Sequence, residues 1–301
     1  MRRKSLWFGA NVGLLLLAVL MAASETARAE ETCQLVRKST GEPFMMYEVI
    51  RYRNTPERLG YCLQPMKIWY GREFWPDGTP SRKAMDLGLP KRDLVQTVAK
   101  RSLSYGPVSV FDIEHWPLED EDYADAAVDN YVTITDWFRE VTPQGQQFGF
   151  YGMVPIRDYF RAIEGKDHGE YKEWQAENDR LTPFADAVDI LFPSLYTFYD
   201  KPEEWLIYAK AQIDESRRLA DGKSVVAFVW PTYHQSNRRR GGDPIEPDFW
   251  RLQLDFLEEH ADGAIIWTHS AVKKIDFADI PPWWDATVQF LDERFECRDC
   301  S

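Results

Sequence analysis

The stretch Val108-Ser109-Val110-Phe111-Asp112-Ile113-Glu114 decides the reading of the fold. A nearly unbroken apolar run is what a strand covered on both faces of a parallel sheet looks like. It ends in two acids at i and i+2, which share one face of a strand with Cα atoms roughly 6.5–7 Å apart. Similar β-branched or aromatic runs lie on either side: 44–52, 66–70, 148–154, 190–196, 224–230 and 264–268. Between the runs are amphipathic stretches of helix length at 91–104, 123–141, 170–184, 202–220, 247–260 and 283–295. Pro202, Pro247 and Pro282 stand at or just before a first helical turn, where proline is tolerated. Strand–helix alternation predicts parallel strands with crossover helices. No GxGxxG turn follows the first strand, so the expected fold is α/β: a TIM-like (β/α) barrel of seven or eight parallel strands.

In such a barrel the active site sits at the C-terminal strand ends. Those ends read Trp69-Tyr70, Asp112-x-Glu114, Tyr151, Tyr196, Trp230 with Tyr233, and Trp267. Two carboxylates ringed by aromatics suit glycosidic-bond hydrolysis. Acids this close repel when both are ionised, so one pKa rises, and a carboxylic acid able to protonate a leaving oxygen results.

Composition narrows the partners. The 301 residues include 12 Trp, and aromatics make up 14%, which favours a rim that holds a flat amphipathic ligand such as a sugar. The formal net charge of −13 argues against sequence-independent nucleic-acid binding, which relies on clustered Lys and Arg. None of the five histidines forms an HxH or HxxxH pair, so neither metal nor cofactor is expected. Arg2-Arg3-Lys4, the apolar run 14–23 and Ala27-Arg28-Ala29 read as a signal peptide over 1–29, leaving a single hydrolase domain over 30–301. The expected location is secreted or periplasmic, with no stable membrane insertion after cleavage. An exported chain can carry disulfides. Cys33, Cys62, Cys297 and Cys300 allow three pairings, among them a staple from the N-terminal region to the C-terminal tail. The rival is a metal or redox CxxC at 297–300. Oligomeric state is not legible.

Several segments, in order, resemble the hyaluronidases, glycoside hydrolase family 56. They are Met66-Lys-Ile-Trp-Tyr70, Gly88-Leu-Pro90 with the helix after it, and Val110-Phe-Asp-Ile-Glu-His-Trp-Pro117. Phe148-Gly-Phe-Tyr151, Leu191-Phe-Pro-Ser-Leu-Tyr196, the run 228–233 and Gly263-Ala-Ile-Ile-Trp267 follow. The resemblance implies a retaining, substrate-assisted glycosidase acting on an N-acetylhexosamine-containing polysaccharide. Glu114 is implied as general acid/base, Asp112 as the group that orients the acetamido substituent, and Tyr196 as its hydrogen-bonding partner. Tyr151, Tyr233 and Trp267 are implied to line the sugar subsite; Trp230 and Tyr70, from the strand-end map, are expected to bind substrate beside them.

The chain departs from the family pattern in places. Pro117 follows Trp116 where the family usually has Arg, and Pro155-Ile156-Arg157-Asp158 replaces its P-D-C-Y-N. The acidic run Glu119–Asp122 near the expected mouth repels a polyanion, whereas Arg238-Arg239-Arg240 offers a local basic patch. Two other readings stay open: a glycosidase of another barrel family acting on a different glycan, and a non-catalytic carbohydrate-binding barrel.

Overall fold

The structure, a computed structural model, describes residues 33–56, 59, 61–78 and 88–298. The expected signal peptide over 1–29 and Cys300 lie outside the described residues.

In chain order the elements are β1 (Gln34–Arg37), β2 (Met45–Val49), β3 (Gln64–Pro65), β4 (Ile68–Tyr70), α1 (Gly71–Phe74), α2 (Arg92–Ser102), β5 (Val108–Asp112) and α3 (Ala124–Arg139). There follow β6 (Gln147–Phe150), α4 (Gly169–Asp179), α5 (Thr182–Ala187), β7 (Ile190–Leu191), α6 (Pro202–Ala220), β8 (Ser224–Val229), α7 (Pro247–His260), β9 (Gly263–Trp267), α8 (Trp283–Arg294) and β10 (Phe295–Arg298). The alternation predicted from the sequence is present, and the strands that it names are parallel.

The pairing does not run as one continuous ladder. It is carried by a five-stranded sheet, β3-β2-β9-β8-β7, and a three-stranded sheet, β4-β5-β6. Among the described residues the sheets are joined by the parallel bridge Tyr151↔Phe192, beyond the end of β6, with Asp189 N–H donating to the Phe148 carbonyl and Gly152 N–H to the Phe192 carbonyl, each at 2.8 Å. On the other side β3 and β4 are separated only by Met66 and Lys67. The expected strand 190–196 shrinks to two residues because Pro193 has no N–H to give a ladder. Beyond it the chain still touches β8: Phe228 N–H donates to the Pro193 carbonyl and Leu195 N–H to the Phe228 carbonyl, each at 2.8 Å.

Two further differences have local causes. The expected helix 170–184 breaks into α4 and α5 because Pro183, in the first turn of α5, supplies no N–H to the turn before it. The antiparallel pair β1–β10 brings the two ends of the described chain together. Cys62 faces both ends. It forms a disulfide with Cys33 (Cα–Cα 5.4 Å) and is within disulfide reach of Cys297 (Cα–Cα 5.9 Å).

Aromatic packing fixes β5. Phe111 lies among Phe138, Phe148 and Phe150, and Phe138 stacks on Phe148 at 4.1 Å. Tyr131 of α3 stacks on Phe184 at 4.4 Å, and its hydroxyl donates to the Ile113 carbonyl at 2.7 Å. That bond pins the residue between the two acids. Gly149 in β6 is required by close approach: a Cβ there would collide with the Ile190 carbonyl and the Phe192 ring.

Candidate active site

A pocket of about 250 Å³ opens at the C-terminal strand ends. Asp112, the last residue of β5, and Glu114, two residues on, both line it. Around them stand Tyr151, Tyr196, Trp230 and Trp267. The Tyr196 ring lies 5.6 Å from Trp267 at 23°, and Trp230 meets both rings edge-on, at 5.4 Å from Tyr196 and 5.0 Å from Trp267. Flat apolar walls beside two carboxyls match the faces of a pyranose ring. The volume lies just below the roughly 300–1,000 Å³ of drug-sized sites and suits a small occupant such as one sugar ring.

The acids are coupled. Burial raises the Asp112 carboxyl well above the usual carboxylate range, and the neighbouring Glu114 charge and the hydrogen bond between them raise it further. Arg157 and Arg51 pull it the other way. The spacing alone implied that one carboxyl of the pair is raised; in the structure burial acts in that direction on Asp112. The reason is enclosure: Asp112 still belongs to the strand and is walled in, which disfavours its charged form.

Six of the eight residues singled out from the sequence meet in this pocket. The Tyr151 hydroxyl also hydrogen-bonds Ser194 Oγ at 3.1 Å. Tyr233 does not join them. It is 1% exposed, its hydroxyl donates to Glu246 at 2.7 Å, and it accepts from Arg240 at 3.0 Å, with that guanidinium over its ring. Bridged to Thr197 and bonded to Glu246 and Arg240, it is a packing residue and not a wall of this pocket. Tyr70 stands behind the wall. Its hydroxyl accepts from Trp267 Nε1 at 3.1 Å and from Arg51 at 2.6 Å, which fixes the Trp267 ring. The expected basic patch is largely neutralised: Arg239 pairs with Asp200, and Arg240 with Asp243 and Glu246.

Sequence reasoning missed Arg157, His234, Gln235 and His269, which also line the pocket. Arg157 was visible only as part of a departure from the family pattern. Its guanidinium lies 3.8 Å from Glu114. His234 was weighed only as a metal ligand. Burial, aided by Arg157, lowers it to about 4, so it is neutral at pH 7. Ser236 N–H donates to its Nδ1 at 3.1 Å, which leaves the ring proton on Nε2. Among the described residues the only group of three or more potential metal ligands is Cys33, Cys62 and Cys297, at the chain ends.

The site defines a class: a sheet of parallel strands with a carboxyl pair and an aromatic sugar-sized pocket at its C-terminal edge. No protein-family model matches the chain. Over 100 residues, 32% of this chain and 26% of the relative, it is 31% identical to a hyaluronidase from Polistes annularis. The chain thus aligns with about a quarter of that protein's length. In three dimensions it superposes on bee venom hyaluronidase in complex with a hyaluronic acid tetramer, with a TM-score of 0.59 and 14% identity. That match covers 83% of this chain and 97% of the other. A GH18 chitinase from Pseudoalteromonas aurantia gives a TM-score of 0.45 at 14% identity, over 76% and 77% of the two chains. The chain is thus similar to hyaluronidases over that 100-residue segment and to bee venom hyaluronidase in fold.

Proposed function

We propose that the chain is an exported glycoside hydrolase that cleaves an N-acetylhexosamine-containing polysaccharide with retention, using the substrate's acetamido group as nucleophile. The observation that carries this reading is the coupled Asp112–Glu114 pair at the edge of a pocket walled by Tyr151, Tyr196, Trp230 and Trp267. We read the two parallel sheets as a seven-stranded (β/α) barrel in which β3 and β4 are one interrupted strand. The likeness to hyaluronidases supports this reading.

Burial favours the protonated form of Asp112 before substrate binds. A bound acetamido N–H needs an acceptor, and Asp112 beside it becomes that acceptor by passing its proton to Glu114. Glu114 then protonates the glycosidic oxygen while the acetamido oxygen attacks the anomeric carbon from the opposite face. The leaving chain departs with the proton, and the sugar is left as a cyclic oxazolinium. Asp112, now ionised, stabilises that cation, and Tyr196 hydrogen-bonds around it. Water activated by Glu114 opens the ring with net retention. Trp230 and Trp267 shield the pocket from bulk water, which strengthens each electrostatic contact.

The deciding experiment offers the purified mature protein a panel of acetamido-containing polysaccharides and measures new reducing ends and their anomeric form. Cleavage with retention, inhibited competitively by a thiazoline mimic of the cyclic intermediate, is the expected result. Inversion, or equal turnover of glycans lacking the acetamido group, overturns the substrate-assisted route. Sugar binding with no turnover on the whole panel favours the non-catalytic barrel.

A further inference from the structure

A second cleft, of about 430 Å³, adjoins the first pocket at Glu114. Glu114 and Arg157 line both cavities, whereas Asp112 and Tyr196 line only the first. Leu118, Met153, Tyr159 and Phe160 form much of the second. Phe160 is 59% exposed, the most exposed of the large apolar side chains among the described residues.

The loop that displays it is rigid. Ile156 N–H donates to Asn178 at 2.8 Å, and the Ile156 carbonyl accepts from Trp174 Nε1 at 2.9 Å and from Gln212 at 3.2 Å. Asn178, Trp174 and Gln212 are all fully or almost fully buried. Farther along, Asp158 accepts the N–H groups of Phe160 (2.9 Å) and Arg161 (2.8 Å). The Arg161 side chain closes the frame on Asp158 and Glu177. Tyr159 backs Phe160 at 4.3 Å and itself stacks on Phe198 at 4.2 Å. A loop anchored this firmly that still holds a phenyl ring in water is preorganised for an apolar surface.

We propose that this second cleft binds the first sugar of the leaving chain, with Phe160 as the platform for that ring's apolar face. The inference rests on the function proposed above. A general acid that protonates a glycosidic oxygen stands between the two sugars which that oxygen joins. With the acetamido sugar beside Asp112 and Tyr196, the sugar on the other side of Glu114 falls in the cleft of Phe160. Arg157 lines both cavities at that boundary, where its guanidinium can donate to oxygens of either ring. The enzyme therefore draws binding energy from the leaving side as well as from the acetamido sugar.

The test is Phe160→Ala, assayed on whichever polysaccharide of the panel is cleaved fastest, with the thiazoline mimic as a probe of the first pocket alone. The expected result is a KM for the polysaccharide raised ~10-fold, the loss of one partly buried aromatic contact, with the thiazoline inhibition constant moved by less than about twofold. Phe160→Trp is expected to restore KM. An unchanged KM overturns the leaving-side subsite, as does a parallel rise in KM and inhibition constant. A wild-type protein that neither cleaves an acetamido glycan nor binds the thiazoline overturns the function itself, an outcome distinct from either.

Discussion

The Arg157 guanidinium lies 3.8 Å from the Glu114 carboxylate, and it reaches there from the loop after β6, not from the strand that carries the acids. One cation thus acts on both members of the carboxyl pair, since it also draws the Asp112 pKa down. It partly offsets the burial and mutual repulsion that hold a proton in the site.

The first prediction follows from that offset. Arg157→Met removes a positive charge that favours the ionised form of the pair, so the apparent pKa values of the pair rise together. The bell-shaped profile of kcat/KM should move to higher pH, with both limbs displaced in the same direction. Rates measured from pH 3 to 9 decide; an unmoved profile means that solvent screens the contact.

Glu114→Gln keeps the shape and removes the proton donor. Turnover should fall by about 10²–10⁴-fold, the usual contribution of general acid/base catalysis, with the thermal midpoint nearly unchanged. Near-normal turnover would take the proton transfer away from this residue.

Asp112→Asn separates catalysis from stability. Turnover should drop, because Asn cannot take and return the shared proton. Stability should move the other way at neutral pH. The folded-state pKa of Asp112 is raised, so its proton is held more tightly in the folded chain than in the unfolded one. That stabilisation is full at pH below the unfolded carboxylate value and is lost as pH rises through the folded value. The variant should therefore melt higher than wild type at neutral and alkaline pH, and the gain should shrink towards acid. Calorimetry across pH checks the sign.

Tyr196→Phe and Tyr233→Phe make a contrasting pair. Tyr196 lines the sugar pocket, so loss of its hydroxyl should cut turnover with little change in melting. The Tyr233 hydroxyl bridges Glu246 and Arg240 away from the pocket, so its loss should cost about 1 kcal/mol of stability and leave turnover close to wild type. The opposite pattern in parallel melting and activity assays would return Tyr233 to the substrate site.

Cys62 stands within disulfide reach of two cysteines, and one sulfur makes one disulfide. Peptide mapping without reductant should find Cys62 linked and no free thiol in protein purified under oxidising conditions. Cys62→Ala should lower stability by about 2–5 kcal/mol, the usual cost of removing a native disulfide. Four free thiols in protein so purified would exclude the staple.

Much of the architecture was written in local sequence. The helices 202–220 and 247–260 begin at prolines, and both match the structure end to end, because helix starts and apolar periodicity are properties of neighbouring residues. The pairing of Asp112 with Glu114 was legible for the same reason: a strand's alternation puts i and i+2 on one face. What tertiary structure decided depends on groups far apart in the chain. Tyr233 and Tyr196 looked alike as strand-end aromatics, yet Tyr233, beyond β8, packs against Glu246 and Arg240, whereas Tyr196, beyond β7, lines the pocket. Arg157 reaches the pocket from a loop that Trp174, Asn178 and Gln212, from two later helices, hold in place. The enclosure of Asp112, which raises its carboxyl, was likewise beyond a local reading. Spacing fixes the repulsion between them, but burial assigns its consequence, and burial is a sum over everything that folds around Asp112.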